Sequence, residues 1–360
     1  TQLKNGRNLL RFLASLLLMK IFGRFKFILK LSRWTDYLTI GRGQFSACLD
    51  NYRPDLVFST DIFHDGDAHL LAEARARKIK TVGMVRSWDN FTTKGVFRIK
   101  PGSLIVQNET MEAEAVKYSG ISRKEIVVAG IPQYDRYFSG KRMPRDEFFK
   151  KIGLDPKKKL ILFSPFGQRF TNTDWQVMEI IKEFIEKKLI PPAQVLVRFT
   201  PNDEVPLGKF RPSADFYLDK PGHQFRAGVF RDQELNARDM EWLADSLFSA
   251  DIVVAGGASI GIDAAVFDKP AILIYFDGFE NRPLWQSVRR FFDFSHGKQV
   301  TRDGSLKAAR SREELLSYLD QCLENPGLDS ELRRKLVERM CWRTDGKAGE
   351  RIAAVILRSL

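Results

Sequence analysis

From Pro54 onward, short apolar runs alternate with amphipathic segments along the chain. Apolar residues spaced at about 3.6 positions indicate a helix, whereas short continuous apolar runs indicate buried strands. In the first part of the chain, these patterns predict strands at residues 56–58, 80–85, 103–106 and 125–128, with helices near 69–77 and 109–118. Such alternation is typical of parallel β-α-β units.

The alternation restarts at residue 160. The second region has predicted strands at residues 160–163, 195–199, 216–217, 252–254 and 271–275, and predicted helices at 174–188, 237–248, 260–267, 312–324, 330–343 and 349–360. No internal repeat of fixed period is visible. The sequence therefore predicts an α/β fold of two Rossmann-like domains, with parallel sheets that face each other across a cleft.

A charged stretch separates the two alternating regions. Residues 140–159 are rich in Lys, Arg, Asp and Pro and contain one short amphipathic piece. We therefore expect an N-terminal domain over residues 1–140, a linker over 141–157, a second domain over 158–325 and C-terminal helices over 326–360.

The composition is ordinary for a globular protein, since 44% of the 360 residues are hydrophobic and 29% are charged. These values exclude disorder over most of the length. The three cysteines, Cys48, Cys322 and Cys341, are far apart and lack CxxC spacing, which excludes a disulfide scaffold and a cysteine-rich zinc site. Reduced thiols are typical of cytoplasmic proteins, so we expect a cytoplasmic location.

The net charge of +13 is concentrated at the N-terminus. Eight Lys and Arg residues precede Asp36, the first acidic residue, so no nucleic-acid-binding surface over the whole protein is indicated. The apolar run at residues 12–19 is too short to span a bilayer, and no signal-peptide cleavage site follows it. Residues 4–20 instead predict a basic amphipathic helix, which either lies on an anionic membrane surface or packs on the first domain. Because the chain begins with Thr and shows no strand before Pro54, we expect further residues upstream.

A run of small residues follows the strand predicted at residues 252–254. It reads Gly256, Gly257, Ala258 and Ser259. Small residues let a ligand approach the backbone closely, and the start of the next helix offers unpaired N–H groups and a positive dipole end to a phosphate. Asp263 lies one turn further on, where a carboxylate can accept hydrogen bonds from ribose hydroxyls. The alternative is a plain turn with Ser259 as helix N-cap.

This stretch resembles the donor-binding half of GT-B glycosyltransferases, specifically bacterial surface-polysaccharide and CDP-glycerol glycerophosphotransferase-like proteins. Their pattern reads D-S-L-x-x-A-D, three apolar residues, three further positions, S-T-x-x-x-E-A and later K-P. Ser259 matches the serine, Ile260 replaces the threonine and Asp263 replaces the glutamate. The resemblance implies that this turn, Asp263 and Arg198 hold a nucleotide-linked donor.

Other segments carry the same resemblance. Residues 197–203 are similar to the family's R-P-H-P-x-D segment, with Arg198 as a phosphate clamp and Thr200 in place of the histidine. Residues 130–135 match G-x-P-x-x-D, and residues 345–352 match D-G-K-x-x-E-R-I, which implies a last helix that packs back on the N-terminal domain. His296 lies in a region similar to F-x-x-x-H and is a candidate donor contact.

Gly167 and Gln168 follow the strand predicted at residues 160–163. Ligands of open α/β sheets bind at the carboxyl ends of the strands. These two residues therefore either face the donor phosphates or form a plain loop.

Two segments of the first domain follow predicted strands and are rich in reactive side chains. An inverting sugar transfer needs a general base that takes the proton of the acceptor hydroxyl. Asp65 and Asp67 are the leading candidates, with His64 and Asp89 behind them, and Asp67 is alternatively a helix N-cap. The acceptor-side candidates are Ser87, Trp88, Asn90 and Lys94, and Trp88 has either a structural role or a role as an acceptor platform.

The resemblance implies a glycosyltransferase that uses a nucleotide-activated sugar to build a bacterial cell-surface polysaccharide or lipid-linked glycan. We expect no bound metal or other cofactor, because GT-B enzymes as a class do not need one. The expected partners are the donor, a glycan or lipid-linked acceptor and an anionic membrane surface, with the protein peripheral at its inner face. The alternatives are a CDP-glycerol-type glycerophosphotransferase, an enzyme similar to UDP-sugar 2-epimerases, and a non-catalytic nucleotide-sugar-binding homologue.

Overall fold

The computed structural model describes residues 26–201, 203–226 and 233–360. These residues form two compact units. The first unit holds the described residues up to Pro132 together with Cys341–Arg343 and Lys347–Leu360, and the second holds the described residues of Gln133–Met340 and Thr344–Gly346. The helix predicted over residues 4–20 lies outside the described residues, as does Asn202 of the segment at 197–203.

A parallel sheet of four strands forms the centre of the first unit. Its strands are adjacent in chain order: β1 (Leu56–Ser59), β2 (Lys80–Met84), β3 (Ser103–Val106) and β4 (Ile126–Val128). Each follows an apolar run of the sequence, and all four closely match the predicted strands. Because parallel neighbours need a crossover connection, the segments between them run along the faces of the sheet.

Among the described residues, five helices precede or connect these strands. They are α1 (Lys26–Thr39), α2 (Ser46–Tyr52), α3 (Asp65–Ala76), α4 (Asn90–Thr93) and α5 (Glu109–Ser119). Helix α5 begins where the Asn108 side chain accepts a hydrogen bond from the Met111 N–H, and it ends at Gly120, whose φ of 62° suits a left-handed C-cap. Helices α1, α2 and α4 were not among the sequence predictions.

The second unit contains a parallel sheet of six strands. The chain forms β5 (Lys159–Ser164), β6 (Ala193–Arg198), β7 (Phe216–Asp219), the short antiparallel pair β8 (His223–Gln224) and β9 (Gln233–Glu234), then β10 (Ile252–Ala255), β11 (Ala271–Ile274) and β12 (Lys307–Ala309). The order across the large sheet is β12-β11-β10-β5-β6-β7. From β5 the chain proceeds to β6 and β7 on one side, then returns to β10 on the other. The ends of β5 and β10 therefore form the switch point at which Rossmann-like sheets bind ligands.

Within the described chain, the second unit contains eight helices. They are α6 (Asp135–Phe138), α7 (Arg145–Ile152), α8 (Asp174–Glu186), α9 (Ala237–Ser249), α10 (Ala258–Val266), α11 (Ser295–Thr301), α12 (Arg312–Glu324) and α13 (Ser330–Cys341). The strand residues Ile161, Val195 and Val254 are fully buried in the core that these helices cover. Continuous apolar runs of this kind are expected for parallel strands with both faces covered.

The segment expected to be a linker, residues 141–157, contains helix α7. Phe148 and Phe149 are fully buried, and Phe148 stacks on Trp242 with ring centres 4.8 Å apart. Arg145 donates to Asp251 at 3.0 Å. This segment is therefore a packed part of the second unit, because its two phenylalanines supply core contacts that its high charge conceals in the sequence.

The last helix, α14 (Ala348–Ser359), belongs to the first unit. Its Ile352 packs in one buried cluster with Val82, Met84 and Ile105 of strands β2 and β3. The preceding helix, α13, lies in the second unit except for Cys341. None of the described helices combines the length and the apolar character that crossing a membrane requires.

Candidate functional site

The turn between β10 and α10 lies at the switch point of the larger sheet. We call residues 255–259 the β10–α10 turn. The N–H of Gly256 donates to the carbonyl of Ser164 over 2.8 Å, which joins the end of β10 to the end of β5. The turn is therefore at the position where sheets of this topology bind ligands.

The two glycines of the β10–α10 turn have different surroundings. Gly256 is buried, and a Cβ on it would lie 2.5 Å from ring carbons of Phe166. Gly257 is exposed, and a Cβ on it would meet no atom within 4 Å. The absence of a side chain allows close packing at Gly256, whereas it leaves open space beside the backbone at Gly257.

Helix α10 begins at this open space. Gly257 is its N-cap, with φ −101° and ψ 144°, and provides no side chain to cap the first turn. No acidic residue lies in that turn, which includes Ala258, Ser259 and Ile260. The first four N–H groups of a helix lack intrahelical partners, and the helix dipole places positive charge at this end. The start of α10 thus has the properties of an anion-binding site.

A loop held by two carboxylates faces the same switch point from the end of β5. Asp174 accepts hydrogen bonds from the N–H groups of Phe166 (3.0 Å) and Gly167 (2.9 Å). Asp203 accepts from the Arg169 N–H at 3.0 Å, and a Cβ on Gly167 would lie 2.4 Å from its Oδ2. Gly167 also has a φ of +92°, a conformation that favours glycine. Its packing and its backbone conformation therefore both require glycine.

Gly167 was predicted to face the donor phosphates, but its N–H has a partner within the protein. Its N–H is bonded to Asp174, and so it is not directed at a donor phosphate. Gln168 is exposed, and its own N–H donates to the Glu204 carbonyl at 2.7 Å. A donor contact by the Gln168 side chain stays a prediction.

Asp174 is almost fully buried, with 3% of its surface exposed. Burial raises the pKa of its carboxyl to about 6, an effect increased by Asp203 and opposed by the N–H groups of Gly167 and Phe166. The group that fixes the loop therefore has a pKa within the range of mildly acidic solutions.

A row of aromatic side chains begins beside the β10–α10 turn, where Phe166 lies against Gly256. Phe166 stacks on Phe291 with ring centres 5.6 Å apart, and Phe170 contacts Phe291 edge-on at 5.6 Å. Phe294 follows at 5.6 Å from Phe291 and lies 5.4 Å from the ring of His296. These rings were not among the predicted site residues, because Phe166 and Phe291 come from segments far apart in the chain. A conspicuous cluster of phenylalanines at residues 291–294 was the available signal.

His296, a predicted donor contact, lies in α11 and ends this row of rings. It is half-buried. The structure places it in the second unit, as the prediction requires, but nothing in its contacts tests a donor interaction.

Arg198, the predicted phosphate clamp, is engaged within the protein. It is 5% exposed, it forms an ion pair with Asp219, and its Nη2 donates to the carbonyl of Asp239 at 3.0 Å. Asp219 is the register partner of Arg198 on the adjacent strand β7 and also accepts from the Trp242 Nε1 at 3.2 Å. The guanidinium therefore stabilises the junction of β6, β7 and α9, and its role as a phosphate clamp stays a prediction.

Thr200, which replaces the family's histidine, follows the end of β6. Its Oγ1 is buried and has no hydrogen-bond partner among the described residues. A buried hydroxyl without a partner is unfavourable. The atom is therefore suited to accept or donate one further hydrogen bond, and its role at the donor stays a prediction.

Asp263, the predicted ribose ligand, has partners inside the second unit. The hydroxyls of Tyr134 and Tyr137 donate hydrogen bonds to its carboxylate. Burial raises the pKa of Asp263 to about 6, and the two tyrosines partly oppose the rise. A carboxylate can accept about four hydrogen bonds, so a ribose hydroxyl would share this group with the two tyrosines.

In the first unit, the predicted base candidates lie at the carboxyl end of β1. His64 is the N-cap of α3, and its Nδ1 accepts from the Gly66 N–H at 3.2 Å. Asp67 lies 3.6 Å from the same ring nitrogen, so the N-cap role considered for Asp67 belongs to His64. Asp65 is exposed and lies 3.4 Å from Arg98. The general base itself stays a prediction.

The second predicted segment of the first unit follows β2. Asp89 is the N-cap of α4 and accepts from the Ser87 hydroxyl at 2.6 Å. Trp88 is buried, which favours the structural role, and Asn90 is also buried. Lys94 donates to Asp61 at 3.2 Å.

Asp61 was not selected from the sequence, although it lies in the same predicted loop. Its side chain is 9% exposed and lies 3.2 Å from Lys94 and 3.9 Å from Arg86. It joins the segment after β1 to the segment after β2. Its position immediately after a buried strand was the available signal. Within the described ranges, no group of three His, Cys, Asp or Glu side chains is placed to hold a metal ion.

The motif resemblance and the position of the turn agree with a family assignment. Residues 80–358, more than three quarters of the chain, match the family of CDP-glycerol:poly(glycerophosphate) glycerophosphotransferases. The chain belongs to this family. It is thus a member of a transferase family, and the resemblance stated from its motifs is confirmed.

Solved structures of similar fold include two epimerases. The UDP-GlcNAc 2-epimerase of Methanocaldococcus jannaschii, solved with UDP-GlcNAc and UDP, has a TM-score of 0.57 and 14% identity, covering 91% of this chain and 80% of that chain. The Neisseria meningitidis UDP-GlcNAc 2-epimerase, bound to UDP-GlcNAc, has a TM-score of 0.54 and 12% identity, covering 92% and 82%. At such identities the likeness concerns the fold, and the prediction of a GT-B-like α/β fold is confirmed. Comparison with curated protein sequences gives no match.

Proposed function

We propose that the chain is a transferase that binds a nucleotide-diphosphate-linked donor on its second unit and transfers the activated group to a hydroxyl. The acceptor would be a bacterial cell-surface glycan or its lipid-linked precursor. The family assignment supports group transfer from a nucleotide-linked donor. The observation that carries the proposal is the uncapped start of α10, open to solvent beside Gly257 at the switch point of the sheet.

The donor diphosphate would lie against the first turn of α10. The N–H groups of this turn would stabilise the ground-state charge and the additional charge that develops as the nucleotide leaves. The ring of Phe166, which lies against Gly256 and stacks on Phe291, would exclude water from one side of this turn. Lower water content strengthens the interaction between the amides and the leaving phosphate.

Two donor classes fit this site, since both carry a diphosphate. With a nucleotide sugar, the acceptor oxygen attacks the anomeric carbon, the carbon–oxygen bond breaks and a nucleoside diphosphate leaves. With CDP-glycerol, the donor of the family name, the acceptor oxygen attacks the β-phosphorus and CMP leaves. In both reactions a general base removes the acceptor proton. Asp65, Asp67, His64 and Asp89 remain the candidates.

The proposal is tested by donor binding and by the nucleotide released. Thermal unfolding of the full chain is followed with UDP-, GDP-, CMP-, CDP- and dTDP-linked donors, because a ligand that binds the folded state raises Tm by mass action. Chromatography then identifies the nucleotide formed when an acceptor hydroxyl is added. Release of CMP from CDP-glycerol indicates glycerophosphate transfer, and release of a nucleoside diphosphate indicates glycosyl transfer.

Two results would contradict the proposal. A nucleotide sugar converted to its epimer without any acceptor would indicate an epimerase. A donor that raises Tm but is never consumed, with glycan or lipid-linked acceptors present, would indicate a non-catalytic binding protein.

A further inference from the structure

Helix α1 of the first unit presents apolar side chains to solvent. Leu31, Trp34 and Leu38 recur at helical spacing on one side, and their exposed fractions are 52%, 58% and 55%. A surface helix ordinarily turns such a stripe toward the core. Contiguous exposed apolar surface of this kind marks an interaction site more often than scattered apolar residues do.

The opposite side of α1 is held against the first unit by polar contacts. Arg33 donates to the carbonyls of Ser119 (2.7 Å) and Phe97 (3.3 Å), and its guanidinium lies 4.5 Å from the centre of the Phe97 ring. Asp36, one turn further along the same side, accepts from Arg98 at 3.0 Å. The stripe therefore cannot rotate inward unless these partly buried hydrogen bonds break.

The exposed Lys30 and the sequence charge up to residue 35 indicate the partner of the stripe. Lys30 is exposed beside Leu31 and Trp34, and the chain up to residue 35 contains eight Lys and Arg residues and no acid. The first acid, Asp36, lies on the other side and is paired with Arg98. A second copy of the chain would bring like charges together, whereas an anionic lipid surface complements them.

We propose that α1 is a docking surface for an anionic lipid bilayer. Leu31 and Leu38 enter the boundary of headgroups and acyl chains, Trp34 lies at the interface where its ring is favoured, and Lys30 contacts lipid phosphates. This inference concerns the first unit and is independent of the donor site proposed on the second.

The test uses the full chain and sedimentation with phosphatidylcholine vesicles that contain either no phosphatidylglycerol or 30% of it. The variant carries Leu31→Ser, Trp34→Ser and Leu38→Ser together. The control carries Leu357→Ser, which removes a leucine that is 67% exposed on α14. We expect the triple variant to lose at least about tenfold in partitioning to anionic vesicles, because each apolar side chain removed from the lipid weakens binding. The control is expected to bind as the unchanged chain does.

A second measurement reports directly whether the Trp34 ring lies in the lipid. Bromine-labelled lipids in the anionic vesicles should quench the fluorescence of the unchanged chain more than that of Trp34→Phe, even if the triple variant folds poorly. Equal quenching, or equal sedimentation of a folded triple variant, would overturn the proposal. So would a triple variant that changes from dimer to monomer in light scattering while its vesicle binding is unaltered, since the stripe would then join two copies of the chain.

Discussion

The ring of Phe166 lies against Gly256, so closely that a Cβ on the glycine would come within 2.5 Å of ring carbons. Phe291 stacks on the ring of Phe166, with ring centres 5.6 Å apart, and limits movement of that ring. Gly257, the next residue, faces open space. Two adjacent glycines are therefore required for different reasons, one for packing and the other for access.

The same substitution at these two glycines should have opposite consequences. Gly256→Ser places a side chain against Phe166 and should lower the free energy of unfolding by about 1–3 kcal/mol, as overpacking does. Gly257→Ser fits its space and adds a favourable N-cap to α10, so its stability should match or slightly exceed that of the unchanged chain. Urea unfolding of both variants measures the difference. Equal loss of stability would contradict the distinction.

The charge at position 257 should control donor affinity. Gly257→Asp caps α10 but places a carboxylate where the donor phosphate is proposed, whereas Gly257→Asn has nearly the same shape without the charge. We expect donor affinity at least about tenfold lower in the Asp variant than in the Asn variant, because like charges at close range repel. Calorimetric titration with the donor found in the thermal screen measures this ratio. Equal affinities would show that no phosphate binds at the start of α10.

Strands β5, β6, β10 and β11 could be predicted from the sequence because each is a short apolar run that is buried almost throughout. The short strands β8, β9 and β12 have no such run and were not predicted. The run at residues 252–254 and the small residues after it placed the β10–α10 turn correctly. Helix α7 was interpreted as a linker because charged residues surround Phe148 and Phe149, and their burial depends on partners such as Trp242 almost 100 positions later.

Partners that are distant in sequence also explain the contacts of Arg198 and Asp263 that the motifs did not indicate. Arg198 matched a clamp motif, but its partner Asp219 lies on the next strand of the sheet, 21 positions later. A motif specifies which residue types occur at which spacing. It does not show which charged side chain the fold places beside each of them. The tyrosines that contact Asp263 were hidden for the same reason, since they precede it by more than 120 positions.

Stability between pH 4 and 6 should depend on Asp174. Its pKa is near 3.8 unfolded and about 6 folded, so the folded state binds the proton more tightly. The contribution of this group to stability is present below pH 4 and is lost as the pH rises to 6. Over that window Asp174 should lower the free energy of unfolding by on the order of 2–3 kcal/mol.

Comparing variants between pH 4 and 7 separates the change in unfolding free energy that is due to Asp174 from other contributions. Asp263, whose pKa is also about 6, contributes with the same sign, so the unchanged chain reports both groups. Asp174→Asn should remove about half of their combined pH dependence, and Asp174→Asn with Asp263→Asn should remove the rest. Urea unfolding at pH 4, 5, 6 and 7 measures each curve. A pH dependence that Asp174→Asn leaves unaltered would contradict the role of its burial.

Arg198 should matter for folding rather than for the donor. Arg198→Met leaves the Asp219 carboxylate, 14% exposed, without its cation, and breaking a buried pair in this way costs about 3–5 kcal/mol. Removing both charges with Arg198→Met and Asp219→Leu should recover part of the loss, because no unpaired charge then remains buried. Arg334→Met removes an arginine from an exposed pair with Glu331 and should change stability little. If instead Arg198→Met retained full stability and lost the rise in Tm with donor, the guanidinium would be the phosphate clamp that its motif indicates.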